Sequence, residues 1–70
     1  MKRFQHERIY AEGRELFFHG QYDEAIDRFK RIYEETLAHR DTVEIVDDYY
    51  TLPQPQWVAK WQARLQTQNT

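Results

Sequence analysis

Gly13-Arg14-Glu15-Leu16-Phe17-Phe18-His19-Gly20-Gln21-Tyr22-Asp23-Glu24-Ala25-Ile26-Asp27-Arg28-Phe29 reads as two helices folded back on each other at one tight turn. Small residues at 13, 20 and 25 stand where helix backbones must approach or reverse. Leu16, Tyr22, Ile26 and Phe29 supply the apolar surface that seals the hairpin. Working outward, helix one is predicted over residues 3–18, with Ile9, Gly13, Leu16 and Phe17 on one face and Gly20 ending it. Helix two is predicted from Tyr22, with Asp23 and Glu24 in its first turn, where carboxylates meet the positive end of the helix dipole. Its buried face is expected to be Tyr22, Ala25, Ile26, Phe29, Ile32, Tyr33 and Leu37, with Lys30, Arg31, Glu34 and Glu35 turned to water.

Asp41-Thr42-Val43-Glu44 has the form of an N-cap followed three residues later by a carboxylate, so residues 42–51 are predicted as a third helix. On propensity alone the β-branched run Thr42-Val43-Glu44-Ile45-Val46 also suits a strand, although nothing else in the chain offers it a pairing partner. Leu52-Pro53-Gln54-Pro55 is predicted as a break, because the residue before each proline is pushed out of helical space. A fourth helix is expected from Gln56 to about Gln66, carrying Trp57, Val58, Trp61 and Leu65. Residues 1–67 are thus read as one all-α domain of about four short antiparallel helices, and 68–70 as a polar tail.

Seventy residues make one domain, and a chain this short buries only roughly 60% of the surface its unfolded form exposes. There is no cysteine, so a disulfide framework and a thiolate metal site are excluded and a reducing compartment is the natural setting. Four phenylalanines, five tyrosines and two tryptophans offer dense packing or association instead. No segment approaches the roughly 20 apolar residues of a membrane span, so a soluble, cytoplasmic protein with no membrane partner is expected. A formal charge of -2 with dispersed basic residues argues against nucleic acid. Residues 41–50 hold Asp41, Glu44, Asp47 and Asp48 without a lysine or arginine, and from 51 onward the charges are Lys60 and Arg64 alone. A C-terminal helix folding back beside the acidic one would gain charge complementarity.

Catalysis has little support. Serine and cysteine are absent, no glycine-rich phosphate loop occurs, and a chain this short offers little room for a substrate pocket, so neither enzyme activity nor a cofactor is predicted. Glu44, Asp47 and Asp48 share a helical face at i, i+3 and i+4, which suits a solvated face better than a hard-cation site drawing ligands from a loop or two elements. His6, His19 and His39 lie near predicted helix ends without metal-binding spacing and read as surface or capping residues.

Gly20-Gln21-Tyr22-Asp23-Glu24-Ala25-Ile26, preceded by Gly13 and followed by Phe29, resembles the tetratricopeptide repeat, a 34-residue helix-turn-helix unit. The resemblance covers residues 6–39 and puts Gly13 against Ala25 at the helix crossing. It departs from the family at Ile9, where tryptophan is common, and at Leu37, where proline is. Over residues 40–67 it is weaker: Ile9 falls on Val43, Leu16 on Tyr50 and Ala25 on Ala59, but Gly13 falls on Asp47, Tyr22 on Gln56 and Phe29 on Ala63. What it implies is recognition of another protein or peptide in a concave groove lined by helix one. Carried over residue by residue, it selects Glu7, Tyr10, Arg14, Phe17 and Phe18, and in the second hairpin Glu44, Ile45, Asp48 and Leu52.

Tyr10, Arg14, Phe17 and Phe18 fall at i, i+4, i+7 and i+8, one stripe of a helix, though Tyr10 and Phe17 serve equally well as core. The acidic third helix, with Glu44, Asp47 and Asp48, is better matched to a basic or amphipathic partner helix than to a terminal carboxylate. Trp57 and Trp61, at i and i+4, are a cap over the open end of the hairpin or, left exposed, a second contact surface. The expected function is that of a small adaptor or regulator binding a partner protein. Self-association into a homodimer, and inhibition of an enzyme by insertion of the acidic segment into a basic cleft, are the alternatives.

Overall fold

The computed structural model describes residues 6–35 and 40–67. Four helices follow one another: α1 (His6–Phe18), α2 (Tyr22–Glu35), α3 (Arg40–Thr51) and α4 (Gln54–Thr67). The described residues contain no strand, and the fold class is all-α as the periodicity predicts. Leu37, His39, the expected start of helix one at residue 3 and the 68–70 tail lie outside the described residues.

Gly20 ends α1 because its backbone turns left-handed, at φ 83°. That turn lets Gly20 N–H reach the Phe17 carbonyl at 3.1 Å and Gln21 N–H reach the Leu16 carbonyl at 2.9 Å, which satisfies two carbonyls at the helix end. His19 Nδ1 donates to the Glu15 carbonyl at 2.7 Å on the same turn. Gln21 then accepts from Ala25 N–H at 3.0 Å and starts α2. The three-residue turn forces α1 and α2 antiparallel, and the pairs Phe17–Tyr22, Glu12–Arg28 and Tyr10–Phe29 run in opposite directions along the two helices.

Two boundaries differ from the sequence reading. Asp41 lies inside the first turn of α3, where its carboxylate faces Tyr10 Oη at 3.5 Å, and is not the residue before the helix. The second turn is only Leu52-Pro53, and Gln54 and Pro55 are already helical. Pro53 takes the capping place, its carbonyl accepting Gln56 N–H at 3.0 Å and Trp57 N–H at 3.1 Å. Pro55 is tolerated because its missing N–H is one that no helix satisfies in its first turn. The β-branched run 42–46 is helical because Thr42, Ile45 and Val46 all turn inward at helical spacing.

The core is a single cluster to which all four helices contribute: Phe17 from α1, Ala25, Ile26 and Phe29 from α2, Ile45 and Val46 from α3, and Trp57, Trp61 and Leu65 from α4. Edge-on ring contacts link Phe17 to Tyr22 at 5.3 Å and Tyr22 to Trp57 at 5.7 Å, with Tyr49 meeting Trp57 at 5.5 Å. Such pairs are each worth about 0.5–1.5 kcal/mol beyond area burial, a useful share for a domain this small.

On the α1 face turned to α2, Gly13 has the ring of Phe29 for its neighbour. A Cβ added there would stand 2.7 Å from Phe29 Cε1 and 2.8 Å from Cζ, and Phe29 is fully buried, so the ring must shift within the core. Gly13→Ala is therefore expected to lower stability in urea unfolding by up to about 2 kcal/mol, the overpacking cost of roughly 1–3 kcal/mol being set against a helix-propensity gain of about 1. A variant as stable as the parent would show that the crossing relaxes freely.

Candidate functional site

α4 lies back against α3 through one buried carboxylate. Asp48 is 8% exposed, and its Oδ2 accepts the Trp61 indole N–H at 2.8 Å and the Lys60 ammonium at 2.7 Å. Glu44, one turn earlier, meets Arg64 at 3.0 Å and Lys60 at 3.6 Å. The two cations of the C-terminal segment are thus spent on the acidic helix, and Arg64 also stacks 4.5 Å from the centre of the Trp61 ring. Burial pushes the Asp48 carboxyl up, but the hydrogen bonds from Lys60 and Trp61, with the nearby Lys60 and Arg64 charges, more than offset this and hold it below the ordinary value. The bond to Asp48 in turn raises Lys60.

Several residues that the sequence offers for partner contact are structural. Trp57 and Trp61 are 2% and 0% exposed, so the pair is core and presents no aromatic surface. Phe17 is 2% exposed, packed between Tyr22 and Trp57, and Tyr10 lies against Phe29. Asp48 is buried at the α3–α4 seam. Arg14 donates to the Leu65 carbonyl at 3.1 Å and so ties α1 to the last turn of α4. For Phe17 and Arg14 the cause is α4, whose Trp57 lies on the Phe17 ring and whose last turn accepts from Arg14, whereas Tyr10 is held by Phe29 of α2. Glu7 and Phe18 remain exposed on α1, with Phe18 beside Arg14, Glu15 and Gln66 around a shallow hollow.

The more substantial depression lies on another face, between α2 and α3. A trough of about 650 Å³ is lined by Lys30 and Tyr33 from α2 and by Val43, Glu44, Val46, Asp47 and Tyr50 from α3. Tyr50 is 63% exposed, the largest exposed apolar side chain of the described residues. Lys30 reaches across from α2, its ammonium 3.3 Å from Tyr50 Oη and 5.7 Å from the centre of that ring. The hydrogen bond to Tyr50 raises the Lys30 ammonium above its ordinary value. Beside Tyr50, Tyr49 turns the other way and donates to Asp23 at 2.7 Å, a bond that raises the phenol.

Of the sequence-derived contact residues the trough gathers Glu44 and Asp47; Lys30, Tyr33, Val43, Val46 and Tyr50 are additions. A signal for Tyr50 exists in the doublet Tyr49-Tyr50, since neighbours on a helix point about 100° apart and one ring of an adjacent pair tends to be left outside. Phe17-Phe18 divides in the same way. Among the described residues no group of three or more histidines, aspartates or glutamates is placed to hold a metal ion, and no helix is long and apolar enough to cross a membrane. No protein-family model matches the chain, and no curated protein or solved structure is significantly similar to it.

The Asp48 seam makes a prediction about pH. Asp48→Ala leaves the indole N–H buried without an acceptor and is expected to cost about 2–3 kcal/mol, and Asp48→Asn less, because its amide oxygen still accepts. A carboxyl held low in the fold stabilises above its unfolded value and loses that contribution as pH falls through the folded one. The stability difference between the parent and Asp48→Asn should hence be flat above about pH 5 and shrink below about pH 4, measured by urea unfolding across pH. A difference unchanged down to about pH 2 would mean that the carboxylate charge is not engaged at this seam.

Proposed function

We propose that this protein is a recognition module that takes an amphipathic helix of a partner protein into the trough between α2 and α3. The reading keeps the binding role that the tetratricopeptide resemblance implies and moves it off helix one, where Phe17 is core and Arg14 is tied to the end of α4. One observation carries it: Val43, Asp47 and Tyr50, with Lys30 and Tyr33 opposite, form an open, apolar-floored trough between two antiparallel helices. The α3 wall runs from residue 43 to residue 50, about 10 Å at the helical rise, which is the length of an i, i+3, i+7 row of anchors on a docking helix. An open trough with charges on its rims suits a helix ridge better than an enclosed small molecule.

The test uses a fluorescein-labelled helical peptide about four turns long with leucines at i, i+3 and i+7, titrated with the protein by fluorescence anisotropy. Binding should shift the amide resonances of α2 and α3 around Lys30, Tyr33, Val43 and Tyr50. Tyr50→Ala, at an exposed position, should weaken binding about tenfold, the usual loss for an aromatic anchor, with melting unchanged. Shifts centred on α1 and α4 instead would assign recognition to the Phe18 surface and reject the trough.

A further inference from the structure

The charges around the trough are unequally committed, and this bears on what sits in it. Glu44 is turned to Arg64 and Lys60 on α4. Lys30 is engaged with the hydroxyl and ring of Tyr50. Asp47 stands exposed on the α3 wall, and among the described residues no side chain reaches its carboxylate; only its backbone carbonyl is used, accepting from Thr51 Oγ1 at 2.9 Å. Val43, Asp47 and Tyr50 follow one another at i, i+4 and i+7, so this open carboxylate lies between the two apolar contacts of its wall.

A helix laid over Val43 and Tyr50 must cover Asp47 or pass at its edge. A neutral flank would strip water from the carboxylate without replacing it, and an acidic flank would add repulsion. A lysine or arginine replaces the lost water with an ion pair. Across the trough the Lys30 ammonium disfavours a second basic flank on the α2 side, so the required charge is confined to one edge.

Resting on the trough reading above, we infer that the partner helix carries a lysine or arginine beside its apolar ridge, seated on Asp47, with a neutral or acidic flank toward Lys30. The partner class is a basic-flanked amphipathic helix, and Asp47 is its specificity-determining residue.

Three versions of the leucine-ridge peptide decide it, with lysine, glutamine or glutamate on one flank, each titrated against the parent, Asp47→Asn, Asp47→Lys and Glu15→Gln. Glu15 lines the separate hollow beside Phe18, so its variant makes the same charge change away from the trough. The lysine peptide should bind the parent about two- to fivefold more tightly than the glutamine peptide, with the glutamate peptide weakest. Asp47→Asn should remove that preference, Asp47→Lys should reverse it, and Glu15→Gln should leave it intact. Equal binding of the lysine and glutamine peptides would overturn the charge inference and leave the trough standing. An equal loss in Glu15→Gln and Asp47→Asn would overturn it in favour of diffuse attraction to net charge. Absence of binding by all three peptides would remove the trough reading itself, and this inference with it.

Discussion

The hydrogen bond from the Trp61 indole to Asp48 sets the geometry of the rest. A tryptophan buried without an acceptor strands a polar N–H, and a carboxylate buried without donors strands a charge; each resolves the other, and Lys60 completes the set. Because the partners are on α3 and α4, the bond fixes the rotation of α3 about its own axis. With Asp48 facing α4, residues 47, 43 and 50 are turned from it by about 100°, 140° and 160° at about 100° per residue. The wall of the α2–α3 trough is therefore a consequence of the buried carboxylate on the opposite side of the same helix.

Size explains why so much aromatic surface is spent on holding the fold together. With neither disulfide nor metal among its described residues, the domain relies on Phe17, Phe29, Trp57 and Trp61, all nearly or fully buried, and on the half-buried Tyr10, Tyr22, Tyr33 and Tyr49 packed around them. Trp57 of α4 joins the other three helices in this core, meeting Phe17 of α1, Tyr22 of α2 and Tyr49 of α3. The cost is that the α1 face is no longer open: Arg14 becomes a clasp on the end of α4, and Phe17 becomes core. What remains outside is Phe18 at one end of α1 and Tyr50 on α3, each the outer member of an aromatic doublet.

Much of the local structure was legible in the sequence. Gly20 at a left-handed turn, Asp23 and Glu24 opening α2, and the inward row Ala25, Ile26, Phe29 and Ile32 are matters of backbone sterics and helical period, which act over a few residues. The complementarity between the acidic third helix and Lys60 and Arg64 was legible too, because opposite charge on successive short helices leaves few other places for them to go. The start of α4 at Gln54 is hidden in the sequence because two prolines look like one long break, whereas Pro55 costs little inside a first turn.

The candidate site was less legible. Sequence spacing left Tyr10 and Phe17 open between core and contact stripe, and Trp57 and Trp61 between cap and contact surface; the packing of Tyr10 on Phe29 and of Phe17 on Trp57 decides for the interior. Asp47 and Asp48 are chemically identical neighbours, yet one is buried against an indole and the other is open beside a trough. By itself the sequence determined the helices, their order and the hairpin turn, since period, capping and turn sterics are properties of short segments. Only the tertiary structure decided which member of each doublet faces inward and where the open trough lies. Helix rotation is set by the partners a side chain meets across the fold, and those lie many residues away along the chain.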